Sequence, residues 1–113
     1  ARENMDAFNT PICLVGHTHI PCIFKQEEGK GKSTRLCTMT LDEPISIECK
    51  CIINPGSVGQ PRDHDPRASY LIYDDEENHW TYHRVPYDVE QVQKRILAAG
   101  LPNRHAYRLS QGW

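Results

Sequence analysis

The chain has 113 residues, 13 basic against 15 acidic side chains, and a formal net charge of −2. That length holds one domain at most, the near-neutral balance argues against a general nucleic-acid or membrane-surface binder, and no run approaches the ~18 apolar residues of a membrane span. Hydrophobic content of 38% is low for a self-sufficient core, and no repeat or low-complexity stretch appears.

Residues 1–8 read as the tail of a helix. They hold neither a basic cluster nor an apolar stretch, so no secretory leader is expected. Ile12-Cys13-Leu14-Val15 suits a strand buried on both faces, and Gly16 ends it. His17-Thr18-His19 then falls at or just past the carboxyl end of that strand, where open α/β sheets place ligands. Neutral imidazole is the commonest metal-ligating side chain. In extended backbone, residues i and i+2 point the same way. Both rings would then face one site, with Cα atoms roughly 6–7 Å apart. That span suits two neighbouring metals, about 3.5–4 Å apart in hydrolases, better than one ion. Taken alone, a polar loop with two histidines is the simpler account. The spacing is not that of a zinc finger or a His-Glu-x-x-His helix.

Further strands are expected at 21–25, 34–40 and 45–53. Gly29-Lys30-Gly31-Lys32-Ser33 reads as a hairpin tip, since it lacks the upstream glycine and following helix of a phosphate-binding loop. Cysteines 13, 22, 37, 49 and 51 are odd in number and make no disulfide framework. They read as buried reduced thiols, which imply a cytoplasmic location. The sharper alternative is a zinc site built from Cys49 and Cys51 with Cys13 or Cys22 and a histidine, although no Cys-x-x-Cys occurs.

Residues 54–70 leave one apolar run and enter another. Three prolines, two glycines and four charges make them an ordered, turn-rich loop. Asn54, Gly56 and Ser57 are candidates for a site rim, with turn formation at least as good an account. Arg62 and Arg67 suit a substrate phosphate or a partner among Asp63 and Asp65. His64 is a candidate substrate-facing acid, against the simpler reading of an exposed loop residue. Strands follow at 69–74 and 79–85, joined by a turn at Asp75-Glu76-Glu77-Asn78. Tyr70, Tyr73, Trp80 and Tyr82 read as packing residues of these strands. Asp88 caps a helix, with Gln91 three residues on. Val89, Val92, Ile96 and Leu97 form its apolar stripe, and Gly100 and Pro102 end it. A short helical stretch is expected over 103–110.

Three ordered segments resemble the C-terminal part of a bacterial-type metallophosphoesterase of the calcineurin-like superfamily. They are Gly16-His17-Thr18-His19 with Pro21, then Asn54-Pro55-Gly56-Ser57-Val58-Gly59-Gln60-Pro61-Arg62-Asp63, then Asp65-Pro66-Arg67-Ala68-Ser69-Tyr70. The Arg84-Val85-Pro86-Tyr87-Asp88 junction and the Ala99-Gly100-Leu101-Pro102 helix end are similar too. The resemblance implies an α/β (α+β) fold, the C-terminal half of a four-layer αββα sandwich, mostly strands with helix 88–100. The chain would begin part-way through a helix. Such enzymes carry earlier metal-binding segments, Asp-x-His, Gly-Asp, Gly-Asn-His and a further His, and the first three motifs do not occur in this sequence.

The resemblance implies two-metal hydrolysis of a phosphoester. His17 and His19 would be its catalytic metal ligands, one on each metal. Two divalent ions are expected, manganese first, with iron, zinc, cobalt or nickel compatible with mixed N/O ligands. Asn54, Arg62 and His64 are the candidate substrate-binding residues. His64 departs from the family, which usually has glycine there; a positive φ would strain it. The expected ligand is a small phosphoester or a nucleotide, and the expected partner is the missing N-terminal half or a second copy. Most catalytic ligands are missing, so the chain alone is expected to be inactive. Two readings compete: a truncated binding or oligomerisation module, and a small zinc-binding protein.

Overall fold

A computed structural model describes residues 2–27 and 33–113. The hairpin tip expected at 29–33 lies, apart from Ser33, outside them. The elements in chain order are α1 (Arg2–Met5), β1 (Ile12–Leu14), β2 (Cys22–Gln26), β3 (Thr34–Cys37), β4 (Pro44–Ser46), β5 (Cys51–Asn54), β6 (Ala68–Asp74), β7 (His79–Val85), α2 (Val89–Ala98), α3 (Asn103–Tyr107) and a closing 3-10 turn (Arg108–Gln111). They form a mixed α+β structure of mostly strands with helices at the carboxyl end, as the resemblance implies.

Two sheets carry the fold. The first has the order β1-β5-β2-β3, and the second β4-β7-β6. β1 runs parallel to β5, with Ile12 opposite Cys51 and Leu14 opposite Ile53. The other pairings between these strands are antiparallel. β5 lies between β1 and β2, and all four of its residues are buried. Ile23, Cys51 and Ile53 of the first sheet pack with Trp80 of the second and with Ile47, flanked by Ile45 and Leu71. The core is therefore the seam between the sheets, built from every second residue of each strand.

Three expectations need correction. Residues 45–53 are not one strand. Ile45 pairs with Trp80 in the second sheet and Cys51 with Ile12 in the first. The chain crosses between layers over 47–50, with Ile47 buried at the crossing. The strand expected at 34–40 stops at Cys37. β1 is not buried on both faces: Leu14 is 61% exposed and Val15 41%. β1 is the edge of its sheet, and the apolar run that resembles a central strand has only one neighbour among the described residues.

The outer face of the first sheet is apolar as well. Phe24 sits opposite both Leu36 and Ile52. These three line a groove of about 460 Å3 with Cys22, Val15 and His17. Asp88 caps α2, its Oδ1 accepting the Gln91 N–H at 2.9 Å, as expected of an N-cap. No residue of α2 is buried, because the helix packs mainly on α3 and the closing turn. The radius of gyration, 16.5 Å, exceeds the roughly 13–14 Å of a closed domain of this length. The apolar outer face of the first sheet remains open. Among the described residues no helix is long and apolar enough to cross a membrane.

Candidate metal centre

Parallel pairing of β1 with β5 brings two loops to one sheet edge. Val15 N–H bonds Ile53 O at 2.9 Å, so both strands deliver their next residues side by side. Asn54, buried at the end of β5, ties the loops together. Its Nδ2 donates to Gly16 O at 3.0 Å and to Thr18 Oγ1 at 2.9 Å, while its Oδ1 accepts the Gly56 N–H at 2.9 Å. Gly56 has φ 87°, and a Cβ there would sit 2.2 Å from Ser69 Oγ. Glycine is required at that point by both conformation and space. Ser69 Oγ in turn accepts the Ser57 N–H and donates to Pro55 O, both at 2.8 Å. The loop expected to be ordered by its prolines is also ordered by these buried polar bonds.

The two histidines do not lie in extended backbone. Their φ values are 73° for His17 and 62° for His19, and Thr18 N–H closes a tight turn on Gly16 O at 3.0 Å. The strand-alternation argument for a shared direction therefore fails: Asn54 holds the segment in a turn. His17 is exposed and borders the apolar groove. His19 is half-buried, with Nδ1 2.7 Å from Gln60 O. A carbonyl oxygen only accepts, so Nδ1 carries the proton and Nε2 keeps a free lone pair. That is the arrangement in which a backbone carbonyl orients a metal-binding imidazole. His19 O also accepts the Arg62 N–H at 3.2 Å. Left-handed non-glycine residues cost on the order of 1–2 kcal/mol each and cluster at functional sites.

Among the described residues no group of three or more His, Cys, Asp or Glu side chains converges to hold a metal. His17 and His19 carry imidazole nitrogens of the kind that ligate metals, and no third side chain of that kind joins them among the described residues. The cysteine-based zinc site finds no support. No three of its candidate ligands converge among the described residues, and burial pushes the Cys51 thiol up to about 11.

The remaining candidates are scattered along the second loop. Arg62 is exposed and donates Nη2 to Gln60 Oε1 at 3.1 Å. It lines a cleft of about 370 Å3 with Thr18, Ile20, Arg108 and Trp113. His64 is exposed with φ 66°, the positive value anticipated for a glycine position, and its N–H bonds Gly112 O at 2.9 Å. Arg67 pairs with Asp65 at 2.6 Å, and that guanidinium draws the Asp65 carboxyl down to about 2.

Arg84 was not among the sequence candidates. Its side chain is only 4% exposed. It meets the Asp63 carboxylate and donates Nη1 to Asp65 O at 3.1 Å and Arg67 O at 3.0 Å. Through the loop it pins, Arg84 supports the Gln60 and Arg62 backbone that holds His19. Its signal was available: it follows Trp80 and Tyr82 at period two on β7, on the inward face.

No family model matches the chain. The chain is 39% identical to an uncharacterized protein of Methanocaldococcus jannaschii, MJ0912, over 95% of this chain and 42% of the relative. A metallophosphoesterase from Sphaerobacter thermophilus, known from its crystal structure, superimposes with a TM-score of 0.89 at 40% identity, over 99% of this chain and 47% of that one. The chain resembles part of a metallophosphoesterase. The metallophosphoesterase likeness covers both strand layers and the terminal helices, and agrees with the reading as the C-terminal half of a calcineurin-like fold. The chain spans less than half the length of each of these two proteins. Divalent metals generally are implied by the metallophosphoesterase neighbour.

Proposed function

We propose that this chain supplies the two-histidine part of a two-metal phosphodiesterase centre, with manganese as the working metal. The observation that carries the proposal is the braced turn at 16–19 in a chain similar to a metallophosphoesterase over 99% of its length. His19 presents Nε2 because Gln60 O occupies Nδ1. His17 lies two residues away in the same turn, which Asn54 grips from the adjacent strand end. The remaining ligands belong to the part of the relatives that this chain does not span.

Divalent metals, when bound, supply a water of lowered pKa and neutralise charge on the phosphoryl oxygens. In this chain Gln60 O orients the His19 ring with Nε2 outward, and Asn54 holds the turn that carries both imidazoles. The chain also brings Arg62 to the neighbouring cleft, where a guanidinium suits a phosphate. All five cysteines are free, which supports a reducing compartment and hence the cytoplasm.

The test is hydrolysis of bis(p-nitrophenyl) phosphate by the whole protein with manganese. His17→Ala and His19→Ala are each expected to lower kcat/KM by at least about a hundredfold, the scale of losing a metal ligand or its orientation. Residues 1–113 alone are expected to show no turnover. Unchanged rates in both histidine variants would sink the proposal.

A further inference from the structure

We propose that the cleft between Thr18 and Trp113 binds a nucleoside phosphate, the phosphate meeting Arg62 and Arg108 and the base stacking on Trp113. This rests on the phosphodiesterase reading for its position, and it narrows the substrate class of that centre. The cleft measures about 370 Å3, within the roughly 300–1,000 Å3 of small-molecule sites. Thr18 and Ile20, two of its walls, flank His19 in the chain, which sets the cleft beside that candidate ligand.

Charge and shape point to the ligand. The lining residues Thr18, Ile20, Arg62, Arg108 and Trp113 include two guanidiniums and no Asp or Glu side chain; the Arg108 Nε is held by Trp113 O, which leaves its Nη groups for a ligand. The nearby acids are committed elsewhere, Asp65 to Arg67 and Asp63 to Arg84. Guanidiniums suit phosphate by planar, two-point hydrogen bonding.

Trp113 adds an aromatic plane on a fixed support. Its N–H bonds Arg108 O at 3.2 Å, and Arg108 Nε returns a bond to Trp113 O at 2.5 Å. Gly112, at φ 62°, packs so closely on Asp65 that a Cβ would lie 2.6 Å from its nitrogen. Gly112 O also holds the His64 N–H. The backbone is thus anchored on both sides, yet the indole is 64% exposed. Packing gains little from such an indole, whereas a base stacked on it gains a flat apolar partner.

The whole protein would be titrated with adenosine monophosphate and with inorganic phosphate, followed by calorimetry and tryptophan fluorescence. Trp80, the other tryptophan of this chain, is buried, and the quenching that Trp113→Ala removes is the part that reports Trp113. The nucleotide is expected to bind at least about tenfold tighter than phosphate. Trp113→Ala should remove about tenfold of the nucleotide affinity and leave phosphate binding unchanged. Arg62→Gln, at an exposed position, should weaken both. Equal affinity for the two ligands, or nucleotide binding untouched by Trp113→Ala, overturns the proposal. Bis(p-nitrophenyl) phosphate hydrolysis on the same sample separates the two claims. Hydrolysis without nucleotide preference overturns the subsite and leaves the centre. Nucleotide preference without hydrolysis supports the subsite and overturns the centre.

Discussion

At the residue scale, Asn54 shows how one side chain decides where the histidines go. Both of its amide hydrogens are used, on Gly16 O and Thr18 Oγ1, and its oxygen holds the Gly56 N–H. It is buried, so replacing it removes three hydrogen bonds at once and takes the side-chain acceptor from the Gly56 N–H. Asn54→Ala is expected to destabilise by about 1–3 kcal/mol and to loosen the 16–19 turn. Urea unfolding measures the first and hydrogen exchange at Thr18 the second; a change below about 0.5 kcal/mol would show that water replaces the amide without loss. The sequence offered Asn54 as a site-rim or substrate contact, with turn formation at least as good an account. Its bracing role was illegible because its partners lie 36 and 38 residues away. His64 was the opposite case. The family's glycine at that position raised the case of a positive φ, and His64 adopts 66°.

At the element scale, strands that keep one alternation in one sheet were legible, and layer crossings were not. β6 and β7 fall close to where their aromatic-rich runs place them, and Asp88 caps α2 as its sequence position predicts. Residues 45–53 read as one apolar stretch because Ile45, Ile47, Cys49 and Cys51 all face apolar surroundings, first in one sheet and then in the other. The long loop at 55–67 depends on charge as well as on proline. Arg67 and Arg84 hold its aspartates, and the hydrogen bond from Arg67 lowers the Asp65 carboxyl to about 2.

The consequence for stability has a definite sign. The folded pKa of Asp65 lies below the ordinary aspartate value, so the unfolded state binds more protons in between. Its contribution is complete above about pH 4–5 and is lost as pH falls through about pH 2. Asp65→Asn should lower the urea midpoint at pH 6 and flatten the slope between about pH 2 and 4. An unchanged acid slope in the variant would show that the pair adds nothing beyond the loop's other bonds.

At the scale of the whole molecule, the two sheets share a core while the outer face of the first stays bare. Phe24, Leu36 and Ile52 line an open groove beside His17, and Leu36 is 61% exposed. An apolar surface of this kind on a soluble fold ordinarily meets another surface. The chain spans 47% of the metallophosphoesterase it resembles, and its two histidines gather no third ligand among the described residues. Composition had already indicated a thin core, through 38% hydrophobic content. It could not show which face was left open, because that depends on β1 lying at the sheet edge.

The most direct measurement is manganese binding by calorimetry to the whole protein, with and without His19→Ala. The account predicts two ions per chain, as two-metal sites require, and loss of at least one on removing the imidazole whose Nδ1 bonds Gln60 O. The same stoichiometry and affinity in the variant would contradict it.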